Sequence, residues 1–566
     1  MPALFGNLTG LKHSLIHSLE KIYRKKVYRE LITFDLAKHL TQISYDLNRQ
    51  IGILINRSGN ITHVIIGDTK GILIPELDEY RLGRKALRGL RLIHTHLYEE
   101  PLTKDDLTDL SLLRLDMIAA IGIKNGLPGK MYIAYLVPDD NKKYEIFETK
   151  NFFELNLDFP SFINSLEEEM QRHRLFDSDD KREKAILISV SLKPKYEQED
   201  SIEELKELAL SSDVIVLDSI IQRPKEINPK YIMGEGKIKE LIISALNKGA
   251  TILIFDQELS PSQIKAISEI TELKVIDRSQ LILDIFARRA HSRDGKVQVE
   301  LAQLKYRLPR LIGKGTAMSR LMGGIGGRGP GETKLEIDRR RVRERINLLE
   351  KELKTLSEAR KQRKNLRISS GIPIVSIIGY TNAGKSTLLN SLTKSNVLVE
   401  DKLFATLDTS SRRLRFPKER DVIITDTVGF IKNLPSDLMS AFKATLEELE
   451  DANLLIHLVD ISNHRFEQHI ESVETILNKL NLQNKPRLTV FNKIDKVDDY
   501  EKAYNIASRY NGILISATNP NTFGHLLKSI ENSLWGRSNT NDMNLHASNN
   551  YLMPLQETNT VTHTPN

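Results

Sequence analysis

The stretch "GYTNAGKS", Gly379 to Ser386, decides how the chain is read. It follows the apolar run "IPIVSII" and precedes "TLLNSL", so a G-x-x-x-x-G-K-S loop joins a strand to a helix. In that context backbone N–H groups along Gly379, Tyr380, Thr381, Asn382, Ala383 and Gly384 can face phosphate, and Lys385 can reach its outer oxygens. The Ser386 hydroxyl suits Mg²⁺. A chance glycine turn would share the bare pattern, and the segments downstream decide between the two.

"TDTVGFI", Thr425 to Ile431, ends a strand with Asp426, which can hold a Mg²⁺-bound water, and carries Thr427, Val428 and Gly429, whose N–H can touch a γ-phosphate. "VFNKID" supplies Asn492, Lys493, Ile494 and Asp495 after another apolar strand. The Asp495 carboxylate can accept from the two donors on one edge of guanine, a pair that adenine lacks. "ILISATN" follows with Ser516, Ala517 and Thr518 at the end of a further strand, where a backbone amide can meet the base. None of these short motifs suffices alone, but their order and spacing specify a GTP-binding P-loop domain. Between the first two lies "KLFATLDTSSRRL", which offers Thr406, Thr409, Ser410 and Ser411 as hydroxyls for a segment that orders only around a γ-phosphate. Spacing does not choose among them.

At 566 residues the chain suggests three or four domains of about 150 residues. The net charge of +7 is mild for this length, so a nucleic-acid surface has to come from local clustering. There is no cysteine, which excludes disulfides, thiolate metal sites and cysteine nucleophiles. The N-terminus lacks the pattern of a secretory signal, and no apolar run approaches the roughly 18 residues of a membrane span. A soluble cytoplasmic monomer is expected.

Composition divides the chain into five parts. Residues 1–180 mix helical periodicity with an apparent hairpin, "IGILINRSGNITHVIIG", and end in the charged stretch "FDSDDKREK". Residues 185–290 alternate apolar strands with amphipathic helices, as in a small parallel sheet. In residues 291–366, Val297, Leu301, Leu304, Leu308 and Leu311 advance by steps of 4 and 3, as do Val342, Ile346, Leu349, Leu353 and Leu356. Two such seams predict an antiparallel helical hairpin with a glycine-rich tip, its first arm kinked or ended by Pro309. Residues 371–536 hold the GTP-binding domain, and 537–566 form a polar tail expected to be disordered. The fold class is thus α/β multidomain: a P-loop GTPase domain with a mixed, mostly parallel sheet and helices on both faces, preceded by a small α/β domain and the hairpin.

With "GYTNAGKST", "FATLD", "DTVGFI" and "NKID" in place, and "GGIGGRGPGETKLE" followed by Arg339, Arg340 and Arg341, the chain from about Ala185 to Trp535 resembles the HflX family of translational GTPases. That resemblance implies hydrolysis of GTP to GDP and phosphate, with the large ribosomal subunit and its RNA, not DNA, as partner. It further implies separation of stalled or idle ribosomes, particularly under stress. It makes "FATLD" the switch segment, with Phe404, Ala405, Leu407 and Asp408 around the nucleotide and Thr406 joining Ser386 on Mg²⁺. Independently, Lys314, Arg320, Arg328 and Lys334 with the three arginines form a basic cluster suited to RNA phosphates, although a solvated loop would look similar. A ribosome-assembly or RNA-binding GTPase without splitting activity is the competing reading. Gly324, Gly326 and Gly329 satisfy G-x-G-x-x-G, but no strand precedes them. The "GEGKIKEL" turn from Gly234 reads as a plain helix start.

The residue after Gly429 is Phe430, where many GTPases carry a polar side chain that positions the attacking water. A phenyl ring cannot do so, and catalysis has to be completed elsewhere. Lys385, Thr406, Gly429 and Asn382 are the catalytic candidates. Asn382 occupies the place at which similar cation-dependent GTPases coordinate K⁺, a further candidate cofactor beside Mg²⁺. Alternatively it closes the loop by a side-chain hydrogen bond.

In the first part, "LIHTHLYEEPLTKDDL" places His94, His96 and Asp106 in a pattern that resembles the H-x-H, S-x-x-D zinc ligands of the JAB/MPN peptidases, with Thr103 near the serine. The spacing is slightly short, and Arg49 stands where a glutamate base is needed ahead of Gly52. A degenerate relative of those domains and ordinary strand-end histidines both remain open.

Overall fold

The computed structural model describes residues 3–536 apart from 81, 83–84, 139–142, 151, 156, 176–181, 312–333, 370, 394–402, 405–409, 417–419 and 433–448. It comprises two units. The first is Met1–Leu366 with Leu398–Thr409 and Val428–Leu446; the second is Arg367–Val397, Ser410–Thr427 and Glu447–Asn566.

The first unit opens with strands β1 (Leu4–Gly6), β2 (Ile51–Asn56), β3 (Ile61–Ile66), β4 (Leu90–His96), β5 (Met117–Lys124), β6 (Leu127–Leu136) and β7 (Tyr144–Thr149). They form one sheet in the order β1-β3-β2-β4-β5-β6-β7. The hairpin read from residues 51–67 is its antiparallel β2–β3 pair, whereas β4 and β5 run parallel. β2, β4 and β5 are buried at nearly every position, as strands covered on both faces must be. Helices His13–Ile22, Phe34–Leu47 and Phe159–Leu175 supply Leu19, Leu36, Leu40 and Ile163 to that core.

A second sheet follows from β8 (Lys184–Val190), β9 (Ile215–Gln222), β10 (Ile252–Phe255) and β11 (Lys274–Asp277), ordered β11-β10-β8-β9 and parallel throughout. Parallel neighbours need crossovers, which helices Lys195–Ser211, Glu235–Asn247 and Pro261–Ser268 provide. Helix Arg278–Arg289 then leads to the hairpin arms, Arg293–Arg310 and Lys334–Ser369. Val297 and Leu301 of one arm bury against Ile346 and Leu349 of the other, as the two heptad seams require. Arg293 pairs with Glu352 and Glu300 with Arg345, an antiparallel register. Pro309 stands one residue before the first arm ends at Arg310. The glycine-rich tip lies outside the described residues.

The second unit contains β12 (Ile374–Gly379), β13 (Ser410–Phe416), β14 (Arg420–Asp426), β15 (Leu454–Asp460), β16 (Arg487–Asn492) and β17 (Ile513–Leu514). Their order is β13-β14-β12-β15-β16-β17, with only β13–β14 antiparallel among the described pairs. Neighbouring residues of one strand serve opposite faces: Leu458 and Val490 join one core with Leu389 and Leu526, while Val459 and Phe491 join another with Ala503. Helices thus cover both sides. Because the chain continues from β12 to strands on either side of it, a crevice opens beyond its carboxyl end.

Candidate nucleotide site

β12 enters that crevice at Gly379, whose φ is +154°; a Cβ there would lie 2.2 Å from the Leu458 carbonyl oxygen. The following loop turns through Asn382 in a left-handed conformation, φ 60°, with its side chain exposed. Among the described residues no hydrogen bond to the Asn382 side chain is present, so the loop closes without it. Gly384 has φ +91°, and a Cβ there would sit 2.4 Å from Asn492 Nδ2. Helix Lys385–Thr393 begins at once, leaving its first N–H groups without intrahelical partners at the loop.

Lys385 is buried, and its Nζ donates to the Tyr380 carbonyl at 2.8 Å. Burial pulls its pKa down to about 8 against the opposing influence of Asp426, and nearby Lys493 adds to the depression. Ser386 Oγ donates to Asp426 Oδ2 at 2.5 Å. A hydroxyl and a carboxylate brought together beside a phosphate loop are the donor chemistry of a hard divalent cation, so this pair fits Mg²⁺. The strand end is held firmly: Thr427 Oγ1 donates to the Ile377 carbonyl at 2.8 Å, and the Thr425 and Ser376 hydroxyls lie 2.7 Å apart.

Asn492 does what its position in sequence did not disclose. Its Nδ2 donates to the Ala383 carbonyl and its Oδ1 accepts from the Ala517 N–H, both at 2.8 Å. One carboxamide therefore ties the phosphate loop, the Asn-Lys-x-Asp turn and the Ser-Ala turn together. Asp495 Oδ1 accepts from Ser516 Oγ at 2.5 Å, and Ser516 Oγ lies 2.9 Å from Thr518 Oγ1. Ile494 N–H reaches the Ile515 carbonyl at 3.3 Å. Ser516 and Ala517 fall just beyond β17, which stops at Leu514.

Two participants were not read from the sequence. Asp460 forms an ion pair with Lys493 at 2.7 Å, and His469 stacks on Tyr380 with ring centroids 3.9 Å apart and planes 6° from parallel. Asp460 ends an apolar strand as Asp426 does, which was a usable signal; His469 had none, because its helix is remote in sequence.

The segments expected to sense the γ-phosphate belong to the first unit. Phe404, φ 57°, is buried with its ring edge-on to Phe286 at 4.6 Å, and Leu403 N–H donates to Ser211 Oγ at 3.0 Å. Val428, Gly429, Phe430 and Ile431 are buried. Phe430 is therefore a packing residue. Ala405, Thr406, Leu407 and Asp408 lie outside the described residues.

A mostly parallel sheet with a phosphate loop at the carboxyl end of a central strand is the fold of the P-loop GTPases, and this chain is one of them. Residues 199–287 match the family model described as GTP-binding GTPase N-terminal, 289–367 the GTP-binding GTPase Middle Region, and 374–493 the 50S ribosome-binding GTPase. The GTPase HflX of Caldanaerobacter subterraneus subsp. tengcongensis is 48% identical over 354 residues, 62% of this chain and 81% of its own length. That of Escherichia coli is 44% identical over 327 residues, 58% of this chain and 76% of its own. A solved GTP-binding protein from Sulfolobus solfataricus in complex with GDP aligns at 25% identity over 62% of this chain and 99% of its own, with a TM-score of 0.35. The chain belongs to the HflX family of GTPases, and it hydrolyses GTP. Among the described residues no helix is long and apolar enough to cross a membrane.

Proposed function

We propose that the chain binds the large ribosomal subunit and couples GTP binding and hydrolysis to the separation of stalled or idle ribosomes in the cytoplasm. The observation that carries this reading is the match of residues 374–493 to a GTPase model described as 50S ribosome-binding, within a chain of the HflX family. The splitting step rests on the family resemblance, as does its use under stress. The working form is a monomer.

In this reading the phosphate loop binds the β- and γ-phosphates, and Lys385 donates to them in place of its present bond to the Tyr380 carbonyl. Ser386 and Thr406 would hold Mg²⁺, which when bound would supply charge neutralisation at the terminal phosphate. Asp426 would orient a water on that ion, Gly429 N–H marks the γ-phosphate, and Asp495 selects guanine. Phe430 is buried and offers no hydrogen bond to the attacking water, so hydrolysis has to be completed from elsewhere: Asn382 would hold K⁺, whose charge would add to that of Mg²⁺, and the ribosome is the other source, alone or with it.

Sedimentation of assembled ribosomes with the protein and GTP, GDP or a non-hydrolysable analogue tests the proposal. Free subunits with GTP support splitting. Intact ribosomes carrying bound protein in every state would instead favour an assembly or RNA-binding factor.

A further inference from the structure

We propose that His94, His96 and Asp106 form a binding site for one divalent metal ion of the zinc class. The two histidines are two apart on β4, so both imidazoles project from the same face, and Asp106 lies in the first turn of the helix Lys104–Leu113 that follows. His94 Nε2 is 3.0 Å from His96 Nε2 and 3.3 Å from Asp106 Oδ1, and His96 Nε2 is 3.6 Å from Asp106 Oδ2. Zinc bonds of about 2.0–2.1 Å place tetrahedral donors roughly 3.3 Å apart; one donor atom from each of the three residues lies within 4.8 Å of the others, so small side-chain shifts would close the set on an ion.

The donors are held from behind. A carbonyl oxygen can only accept, so the 3.0 Å contact between His96 Nδ1 and the Glu100 carbonyl puts the ring proton on Nδ1 and turns the Nε2 lone pair toward the cluster. Asp106 Oδ2 accepts from both the N–H and the hydroxyl of Thr103 at 2.7 Å, a capping box that fixes the carboxylate while Oδ1 faces His94. His94 is fully buried and its Nδ1 has no partner among the described residues, so that ring is oriented by packing and by its Nε2 contacts within the cluster. Asp106 is the more accessible of the three, which leaves an approach from its side.

Two imidazoles and one carboxylate suit a borderline ion and disfavour Mg²⁺ and Ca²⁺, which prefer oxygen. Three protein ligands also leave a position for water. The site is nevertheless one of binding, because Arg49, at the position a base would need, is committed to the Asn7 and Thr9 carbonyls at 3.0 and 3.1 Å. The helix that carries Asp106 ends at Arg114, whose Nη1 donates to Asn247 Oδ1 of the α/β domain at 2.8 Å. An ion at its start would therefore secure an element that joins the two sheets of the first unit.

The test uses tag-free, full-length protein stripped with a chelator and then titrated with Zn²⁺ against a chromophoric competitor. About one equivalent should bind tightly, and Co²⁺ in its place should give the intense visible bands of a tetrahedral site. Asp106→Asn, whose amide oxygen can preserve the cap, should weaken binding at least about tenfold, and His96→Asn should abolish it. GTP turnover should stay unchanged in both, and unchanged amide hydrogen exchange over β2, β4 and β5 verifies that their N-terminal sheet is folded. Failure of the wild type to retain zinc, or equal affinity in a folded Asp106→Asn variant, would overturn the proposal and leave a hydrogen-bonded histidine pair.

Discussion

Phe404 stands edge-to-face on Phe286, 4.6 Å between ring centroids, so the residue two places before Thr406 is anchored in the helix Arg278–Arg289. The adjoining Leu403 N–H is bound by Ser211 Oγ. The start of the proposed switch segment is thereby tethered to the α/β domain by aromatic packing.

Phe404→Ala should release this tether. Removing a buried phenyl costs about 3 kcal/mol, so hydrogen exchange at the Leu403 amide should accelerate by roughly a hundredfold if the opening is local. Unchanged protection there would show that the segment is held by other contacts.

Nucleotide binding should take up a proton near pH 8. With its pKa lowered to about 8, Lys385 is about half neutral at that pH, and a phosphate would restore its charge. Calorimetry in buffers of different ionisation enthalpy should give an uptake of about half a proton, vanishing at pH 6.5 and in Lys385→Met. The sign for stability follows. Below pH 8 the lysine is charged in both folded and unfolded chains, and its burial penalty is fully felt. From pH 8 to the ordinary lysine range only the unfolded chain keeps the proton, so the nucleotide-free protein gains stability as pH rises.

Gly384→Ala and Asn492→Ala should both damage the nucleotide site through one joint. The alanine methyl would meet Asn492 Nδ2 at 2.4 Å on a backbone with φ +91°. Loss of the Asn492 carboxamide removes two hydrogen bonds and leaves the buried Ala383 carbonyl and Ala517 N–H without it, a cost of about 2–3 kcal/mol, equivalent to a roughly thirty- to 160-fold loss of GDP affinity. Affinity within threefold of wild type for Asn492→Ala would deny the joint its role.

Asp495→Asn should exchange the preferred base. An amide cannot accept from both guanine donors, and its own N–H₂ can donate to the carbonyl that xanthine carries instead. GTP affinity should fall about a hundredfold while that for xanthosine triphosphate rises. Retained preference for GTP in competition binding would place base selection elsewhere.

Basal turnover should be severalfold faster in K⁺ than in Na⁺ at equal ionic strength, and Asn382→Ala should remove the difference. The exposed Asn382 side chain is positioned on a left-handed loop residue without a hydrogen bond among the described residues. Equal rates in the two salts would leave the ribosome as the activating partner.

Local pattern was enough to read the phosphate loop, the Asn-Lys-x-Asp turn, the strand and helix alternation and the two heptad seams. Each depends on spacing within a few residues of itself, and a period of 3.5 or a glycine-rich turn is a property of the chain before it folds. The linkage of Asn492 to Ala383 and Ala517, the stacking of His469 on Tyr380 and the seat of Phe404 against Phe286 join residues 25 to more than 100 positions apart. No periodicity encodes such contacts, because they arise from which strands become neighbours. The same holds for His94, His96 and Asp106: their types and order were visible from the start. Whether three donors come within 4.8 Å of one another was decided by the pairing of β4 and by the helix that folds back over its end.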